Sequence, residues 1–428
     1  MVTNRLATRY GDPFRLYWTS AVLSYLGDGV RATALPLLAV SLTTSPGQVA
    51  VVSAAATMPW LIFGLHAGVL VDRIPRVPMM IVLQVVRGLA GLVAVAGVLT
   101  GHLGIVGLAV LAAVLGSCEV YYDIASHALL PDIVPADRLQ RANSRLVAAE
   151  VATFEFAGPA LGGLLFAVAA ALPIGVDAAT FLGSAALLAC IGVRTPPRAL
   201  AEHREPIGRQ LAAGVRWFIR SPLIRTLTLL STSINLGAGG LYAVLALFAR
   251  QHLGLGPAGF GLLIAVSAIG SFAGGLLAER LTTPTGRRAT VLWSAPLIGA
   301  CFAVIALSPR LVVVGAAMIA FGLVISLFNV VAMSLRQSRT PADMLGRVLG
   351  VHRVICWGAL PLGALGAGAV GSAYGLRWAI MACALAVLIT WLAALPLLAG
   401  SDGTAYTISE SPPDSDTVST ANKGRDSG

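Results

Sequence analysis

The sequence predicts an all-α membrane protein with twelve transmembrane helices in two pseudo-symmetric six-helix bundles. Three observations lead there. Of its 428 residues, 57% are hydrophobic and only 11% are charged, and mean hydropathy is +0.84; an ordinary globular domain carries roughly 25% charged residues. Apolar runs of about 20 residues recur along the whole chain, each long enough for a helix to cross the hydrocarbon core of a bilayer. They do not alternate as barrel strands would. Finally, a charged turn occurs twice. Gly68-Val69-Leu70-Val71-Asp72-Arg73-Ile74-Pro75-Arg76 is echoed 207 positions later by Gly275-Leu276-Leu277-Ala278-Glu279-Arg280, with Gly286-Arg287-Arg288 following.

The first span, 14–42, follows a polar start holding Arg5, Arg9, Asp12 and Arg15. No small-residue cleavage site follows, so this start reads as a retained cytoplasmic N-terminus rather than a signal peptide. Span one carries Asp28 and Arg31 near its middle. Span two, 48–71, ends on the first charged turn. Span three, 78–100, carries Arg87 at mid-depth. Span four, 104–129, carries Glu119 and Asp123, four apart and therefore on one helix face. Span five, 143–170, carries Glu150, Glu155 and Gly158-Pro159-Ala160-Leu161-Gly162-Gly163. Its glycines permit close helix approach, and Pro159 removes a backbone donor and bends the helix. Span six, 173–193, carries Asp177 near its outer end, where simple solvent exposure is expected.

The polar segment 194–222 divides six spans from six. Arg204, Arg209, Arg216, Arg220 and Arg225 alternate there with Ile207, Leu211, Val215 and Phe218 at helical spacing. That pattern predicts a basic amphipathic helix on the inner leaflet, or alternatively a docking site for a cytosolic protein. Spans seven to twelve, 223–250, 257–279, 289–308, 311–335, 346–372 and 376–399, hold no acid at mid-span. Residues 400–428 are rich in Ser, Thr, Asp, Pro and Gly and predict a disordered cytoplasmic tail. The expected domains are thus 1–193, 194–222, 223–399 and 400–428. A second repeated segment supports the duplication: Pro135-Ala136-Asp137-Arg138-Leu139-Gln140-Arg141 after span four matches Pro341-Ala342-Asp343-Met344-Leu345-Gly346-Arg347 after span ten, offset by 206. Parallel six-span repeats form the two halves of one class of secondary transporter, with the substrate path between them.

Charge placement sets the orientation. Arg250, Arg310 and Arg377 lie near one side and Arg31 and Arg87 lie within spans; the other basic residues crowd the opposite side and its span ends. The positive-inside rule then puts both termini in the cytoplasm of a cell whose inner (plasma) membrane holds the protein. The net charge of +10 is spread between apolar runs rather than gathered in a patch, so no nucleic-acid partner is expected. The expected partners are the lipid bilayer and a small-molecule substrate, with the chain itself a monomer. The five cysteines lie in apolar runs without metal-ligand spacing and read as buried packing thiols. No His pair has metal spacing, so no metal site is assigned. The single lysine, Lys423, follows Asn422, so no phosphate-cradling Gly-Lys-Ser/Thr loop exists. No Gly-x-Ser-x-Gly elbow occurs either. Neither an enzyme nor an ATP-driven pump is expected, and no cofactor; the energy source would be the proton gradient.

These residues resemble the major facilitator superfamily over about 14–399. Gly68, Leu70, Asp72, Arg73 and Arg76 fit its loop signature between spans two and three, with Pro75 where Gly is usual and Val77 where a second base is usual. Gly158, Pro159, Gly162 and Gly163 resemble the core of the antiporter signature of drug–proton exporters, with Phe154 in place of its earlier Gly. Leu26-Gly27-Asp28-Gly29 and Leu130-Pro131-Asp132-Ile133-Val134-Pro135 look like the branch that holds macrolide-efflux and siderophore-export proteins. The resemblance implies alternating access and proton-coupled export.

Intramembrane carboxylates mark ion or substrate paths. The proton-coupling candidates are Asp28, Glu119, Asp123, Glu150 and Glu155. Asp28 and Arg31 can pair with each other, which would make them structural; unpaired, Asp28 leads, with Glu119 and Glu150 next. Depth also permits an Arg87–Glu119 or an Arg87–Asp123 pair. The conformational hinge comprises Gly68, Asp72, Arg73, Arg76, Glu279, Arg280, Arg287 and Arg288. There an acid can pair with a helix N-terminus and nearby arginines in one state and release them in the other. Tyr25, Trp60, Tyr121, Tyr122, Tyr242 and Trp357 are cavity candidates. The reading favoured is an exporter of lipophilic small molecules, an antibiotic or related metabolite, in exchange for protons. A siderophore exporter, an importer on the same fold, and a membrane sensor or scaffold are the alternatives.

Overall fold

The structure is a computed structural model that describes residues 13–192 and 215–399. Twelve helices account for nearly all of them: α1 (Pro13–Leu42), α2 (Pro46–Arg73), α3 (Arg76–Leu99), α4 (Ile105–Ile133), α5 (Leu139–Glu150), α6 (Gly158–Val168), α7 (Ala171–Ala189), α8 (Pro222–His252), α9 (Pro257–Leu307), α10 (Leu311–Arg339), α11 (Ala342–Tyr374) and α12 (Leu376–Ala399). Proline opens several of them. Pro46, Pro222 and Pro257 sit in the first turn of α2, α8 and α9, where the absent N–H would have had no partner and φ is already helical.

One expected boundary holds and one differs. Spans eight and nine remain two helices, written together as α9 and broken at Gly286 (φ 76, ψ 153), with Pro257–Thr282 before the break and Ala289–Leu307 after it; only glycine enters that region without strain. Span five is composite: α5 runs into a π-helical segment, Val151–Ala157, and then into α6. The distortion precedes Pro159 rather than centring on it. The Gly158 N–H reaches back five residues to the Thr153 carbonyl, and Pro159 falls in the first turn of α6.

Counting α5–π–α6 as one span and α9 as two gives twelve. Among the described residues, eleven segments are long and apolar enough to cross a membrane; α1 falls short because Asp28 and Arg31 lower its hydropathy. Six spans form each bundle. In the first, α1 packs on α6 and α7, α3 on α7 and α4, and α2 on α4. In the second, α8 packs on α11 and α12, and α9 on α10 and α12. The bundles meet mainly where α2 lies along α11 and α6 along α9.

Several expectations fall elsewhere. Most of the amphipathic linker (193–214) and all of the tail (400–428) lie outside the described residues; what is described, 215–220, is helical with Arg216 and Arg220 exposed. Of the cysteines, Cys118, Cys356 and Cys383 are buried, but Cys190 is exposed. It caps α7, where no neighbouring helix covers it.

Candidate functional site

The two ends of the molecule are built differently. At the end opposite the α2–α3 turn, backbone meets backbone. A Cβ on Gly163 would stand 2.6 Å from the Pro257 carbonyl and 2.9 Å from the Gly261 Cα, so only glycine lets α6 touch α9. The Gly47 N–H donates to Ser372 Oγ (3.0 Å), joining α2 to α11, and Arg250 Nη1 donates to the Val40 carbonyl (3.0 Å), joining α8 to α1. At the turn end a cleft of about 950 Å³ separates α5 and its π segment from α9 and α10, walled by Val147, Val151, Phe156, Phe272 and Leu276.

Between these ends lies a cavity of about 260 Å³ with walls from both bundles: Asp28, Arg31, Glu119 and Trp60 from the first, Tyr242 and Trp357 from the second, and Phe154 of the π segment. Trp60 and Trp357 close its turn side with ring centroids 4.4 Å apart. Arg353 lies over both rings, 4.7 Å from Trp60 and 5.5 Å from Trp357. It also pairs with Asp123 across the bundle boundary at 2.5 Å, and His127 Nε2 is 3.4 Å from the same carboxylate.

The charged wall is a buried cluster. Arg31 Nη2 donates to Asp28 Oδ1 (2.5 Å) and to Glu119 Oε2 (2.7 Å). Arg87, fully buried, pairs with the same Asp28 oxygen and approaches Glu119 at 4.0 Å. A polar ladder holds it in place: its Nη1 donates to Gln84 Oε1 (3.2 Å), Gln84 donates to Ser184 Oγ (2.8 Å), and Ser184 meets Ser20 (2.7 Å). The guanidinium also covers the Phe181 ring at 3.8 Å. Buried charges persist only when paired and hydrogen-bonded, and this ladder supplies those partners. Asp177 completes the cluster. Its Oδ2 is 3.9 Å from Arg31 Nε, while its Oδ1 and that Nε have no hydrogen-bond partner.

The expectations for site residues divide accordingly. Asp28 and Arg31 do pair, but Asp28 serves Arg87 as well. The Arg87–Asp123 alternative is corrected: Asp123 faces the other bundle, although it shares a helix with Glu119. Asp177 is corrected as well. It is only 2% exposed, because distance along the membrane normal does not measure lateral burial against α1 and α3. Glu150 is exposed and Glu155 half-buried, and neither forms an ion pair among the described residues. Among the aromatics, Trp60, Tyr242 and Trp357 line the cavity. Tyr25, Tyr121 and Tyr122 do not; Tyr122 is buried inside the first bundle and the Tyr121 ring packs at a tilt against Phe63. Arg353 was not singled out, although an arginine seven residues inside span eleven was a readable signal.

The remaining motifs are structural contacts. Gly158 meets the backbone of Gly29, and Gly162 that of Val30, which seats α6 on α1. In the first charged turn, Arg76 is buried and pairs with Asp132 at the end of α4, while Arg73 is exposed and Gly68 half-buried. In the second, Glu279, Arg280 and Arg287 are exposed. The side chains of Asp72 and Arg288 lie outside the described residues.

A family model described as transmembrane secretion effector matches residues 5–416. The multidrug efflux pump Tap of Mycolicibacterium fortuitum is 28% identical over 402 residues, covering 90% of this chain and 95% of Tap. The enterobactin exporter EntS of Escherichia coli O1:K1 / APEC is 27% identical over 380 residues, covering 83% and 85%. In fold, the chain superposes on a bacterial homologue of the lysosomal transporter Spinster, in its inward-facing and unoccupied conformation, with a TM-score of 0.72 at 14% identity over 92% of this chain and 97% of that one. A bacterial homologue of the iron transporter ferroportin, in its inward-facing state, gives 0.72 at 19% identity over 90% and 98%.

Proposed function

The chain belongs to the transmembrane secretion effector family of major facilitator transporters, a family of transporters rather than enzymes, and from that footing we propose that it exports lipophilic small molecules in exchange for protons. The observation that carries the reading is the cavity at the bundle boundary, greasy on one side and acid-lined on the other. Trp60, Tyr242, Trp357 and Phe154 offer aromatic faces to an apolar body, and Glu119 faces the same space with its side chain 34% exposed. Both termini face the cytoplasm in this reading, so the glycine seal lies outside and the cleft opens inward. The cycle is then one of alternating access. An amphipathic substrate enters from the inner side and lodges between the bundles; the bundles rock, the outer seal parts and the inner end closes. The hinge at Gly68, Arg73 and Arg76 would bias that rocking through the Arg76–Asp132 pair.

Accumulation of a fluorescent amphiphile in inverted membrane vesicles from a host lacking its own pumps tests this. Uptake should follow an imposed proton gradient and collapse with a protonophore; uptake indifferent to the protonophore would refute proton coupling. The kinship with the enterobactin exporter supports siderophore export as a second reading. Loss of siderophore secretion on deletion, with unchanged resistance to amphiphiles, would establish it instead.

A further inference from the structure

We infer that Asp177 is the proton-binding site of the transporter and that it competes with Glu119 for Arg31, so that losing its proton frees Glu119 to bind a positively charged substrate. This rests on the proton-coupled reading above and assigns the proton to a residue outside the cavity lining.

Charge count and geometry carry the inference. The cluster holds three carboxylates, Asp28, Glu119 and Asp177, and two guanidiniums, Arg31 and Arg87. With all five ionised, one buried negative charge lacks a counterion, which a low-dielectric interior does not tolerate. Asp28 is held by both arginines, and Glu119 by Arg31 with Arg87 nearby. Asp177 alone has no hydrogen bond to either, and its Oδ1 is an unpartnered atom of a residue only 2% exposed. The groups facing it are Asp28 and Arg31 of α1, Arg87 of α3 and Glu119 of α4; α6 offers no titratable side chain. The arrangement is that of a neutral, protonated acid beside a guanidinium engaged elsewhere.

The unpartnered Nε of Arg31 faces Asp177 at 3.9 Å, a side-chain adjustment away from a bonded pair. When Asp177 gives its proton to inner water, the resulting carboxylate draws Arg31 off Glu119. Glu119, already facing the cavity, is then left unpaired for a cationic substrate. When Asp177 takes a proton from outer water, Arg31 returns to Glu119 and displaces the substrate. Proton and substrate thus compete through one guanidinium, and linkage makes each weaken the other. Asp177 also sits toward the glycine-sealed end of α7, the side from which an exporter's proton arrives.

The test is proton release from purified protein, read with a pH-indicator dye as ethidium, a lipophilic cation, is added. The parent should release a proton on binding, and its ethidium affinity should fall about tenfold between about pH 8 and about pH 6. Asp177→Asn mimics the protonated state: it should release none, bind weakly at both pH values, and lose gradient-driven uptake. Asp177→Glu, which keeps the titratable group, should restore release and so separates titration from misfolding. Glu119→Gln should bind weakly throughout. Release and pH dependence persisting in Asp177→Asn would overturn the assignment while leaving proton coupling standing. A parent that binds ethidium without releasing a proton would overturn both.

Discussion

At the scale of single residues, stability is concentrated around Arg87. It is fully buried, and among the described residues Asp28 is the carboxylate that bonds it directly, Glu119 standing off at 4.0 Å. Asp28→Asn should therefore destabilise the protein by about 3 kcal/mol, the cost of leaving a buried charge poorly compensated. Thermal unfolding in detergent measures it; a melting temperature within a degree of the parent's would contradict this account. A second expectation concerns Gly27. A Cβ there would stand 2.8 Å from Asp177 Oδ1 and still closer to Thr180 Oγ1, so Gly27→Ala should cost about 1–3 kcal/mol through overpacking and displace Asp177. How much of the site was legible in the sequence follows from what spacing can express. Asp28 and Arg31 are three apart on one helix, and a local pair can be read directly. Asp177 and Arg353 depend on which helices become neighbours: α7 against α1 in one case, α4 against α11 in the other. A single sequence carries depth along each helix but not the rotation that faces a side chain toward its partner.

At the scale of elements, the glycine pairs define where helices touch. The expectation for Gly158, Gly162 and Gly163 was close packing, and each meets backbone: the first two on α1, the third on α9. Their duties differ. The first two act within a bundle, whereas Gly163 acts between bundles, at the sealed end. Gly163→Val should leave the first bundle folded yet separate α6 from α9. Spin labels at Val168 and Gln251, exposed positions of the two bundles at this end, check this when their distance distributions are compared in the parent and Gly163→Val backgrounds; equal distributions would show that the seal tolerates bulk. The turns were legible because glycine and proline punctuate them. The break within α9 was legible for the same reason: Gly286, followed by Arg287 and Arg288, takes a left-handed φ of 76 between spans eight and nine.

At the scale of the whole molecule, two kinds of bond join the bundles. Backbone contacts of small residues close one end, while the Asp123–Arg353 pair and the tilted contact of Trp60 with Trp357 close the turn side of the cavity. The first kind is steric and insensitive to ionic strength; the second is electrostatic and partly exposed, with Arg353 40% and Asp123 29% accessible. Arg353→Ala should loosen the turn end alone. Spin labels at Arg141 and Gln337 should then report a longer and broader distance distribution than in the parent, and an unchanged distribution would show that the pair does not restrain the bundles. The repeat made the two-bundle plan readable, because duplication leaves its mark on the sequence. The closure between bundles left no such mark: it joins non-equivalent helices, so nothing in the repeat announces it.

The π segment has a consequence for how the fifth span tolerates changes in length. Seven residues wound five to a hydrogen bond hold more chain per rise than an α-helix does, the geometry an inserted residue leaves when both flanks keep their faces. Deleting one residue within Val151–Ala157 should let the segment relax to ordinary α-helix, with Glu150 and Gly158 still aimed as before. The same deletion between Gly158 and Val168 would rotate everything beyond it by about 100° and turn Gly163 away from α9. The fifth span thus carries slack at one place only, and a family of length variants should cluster there.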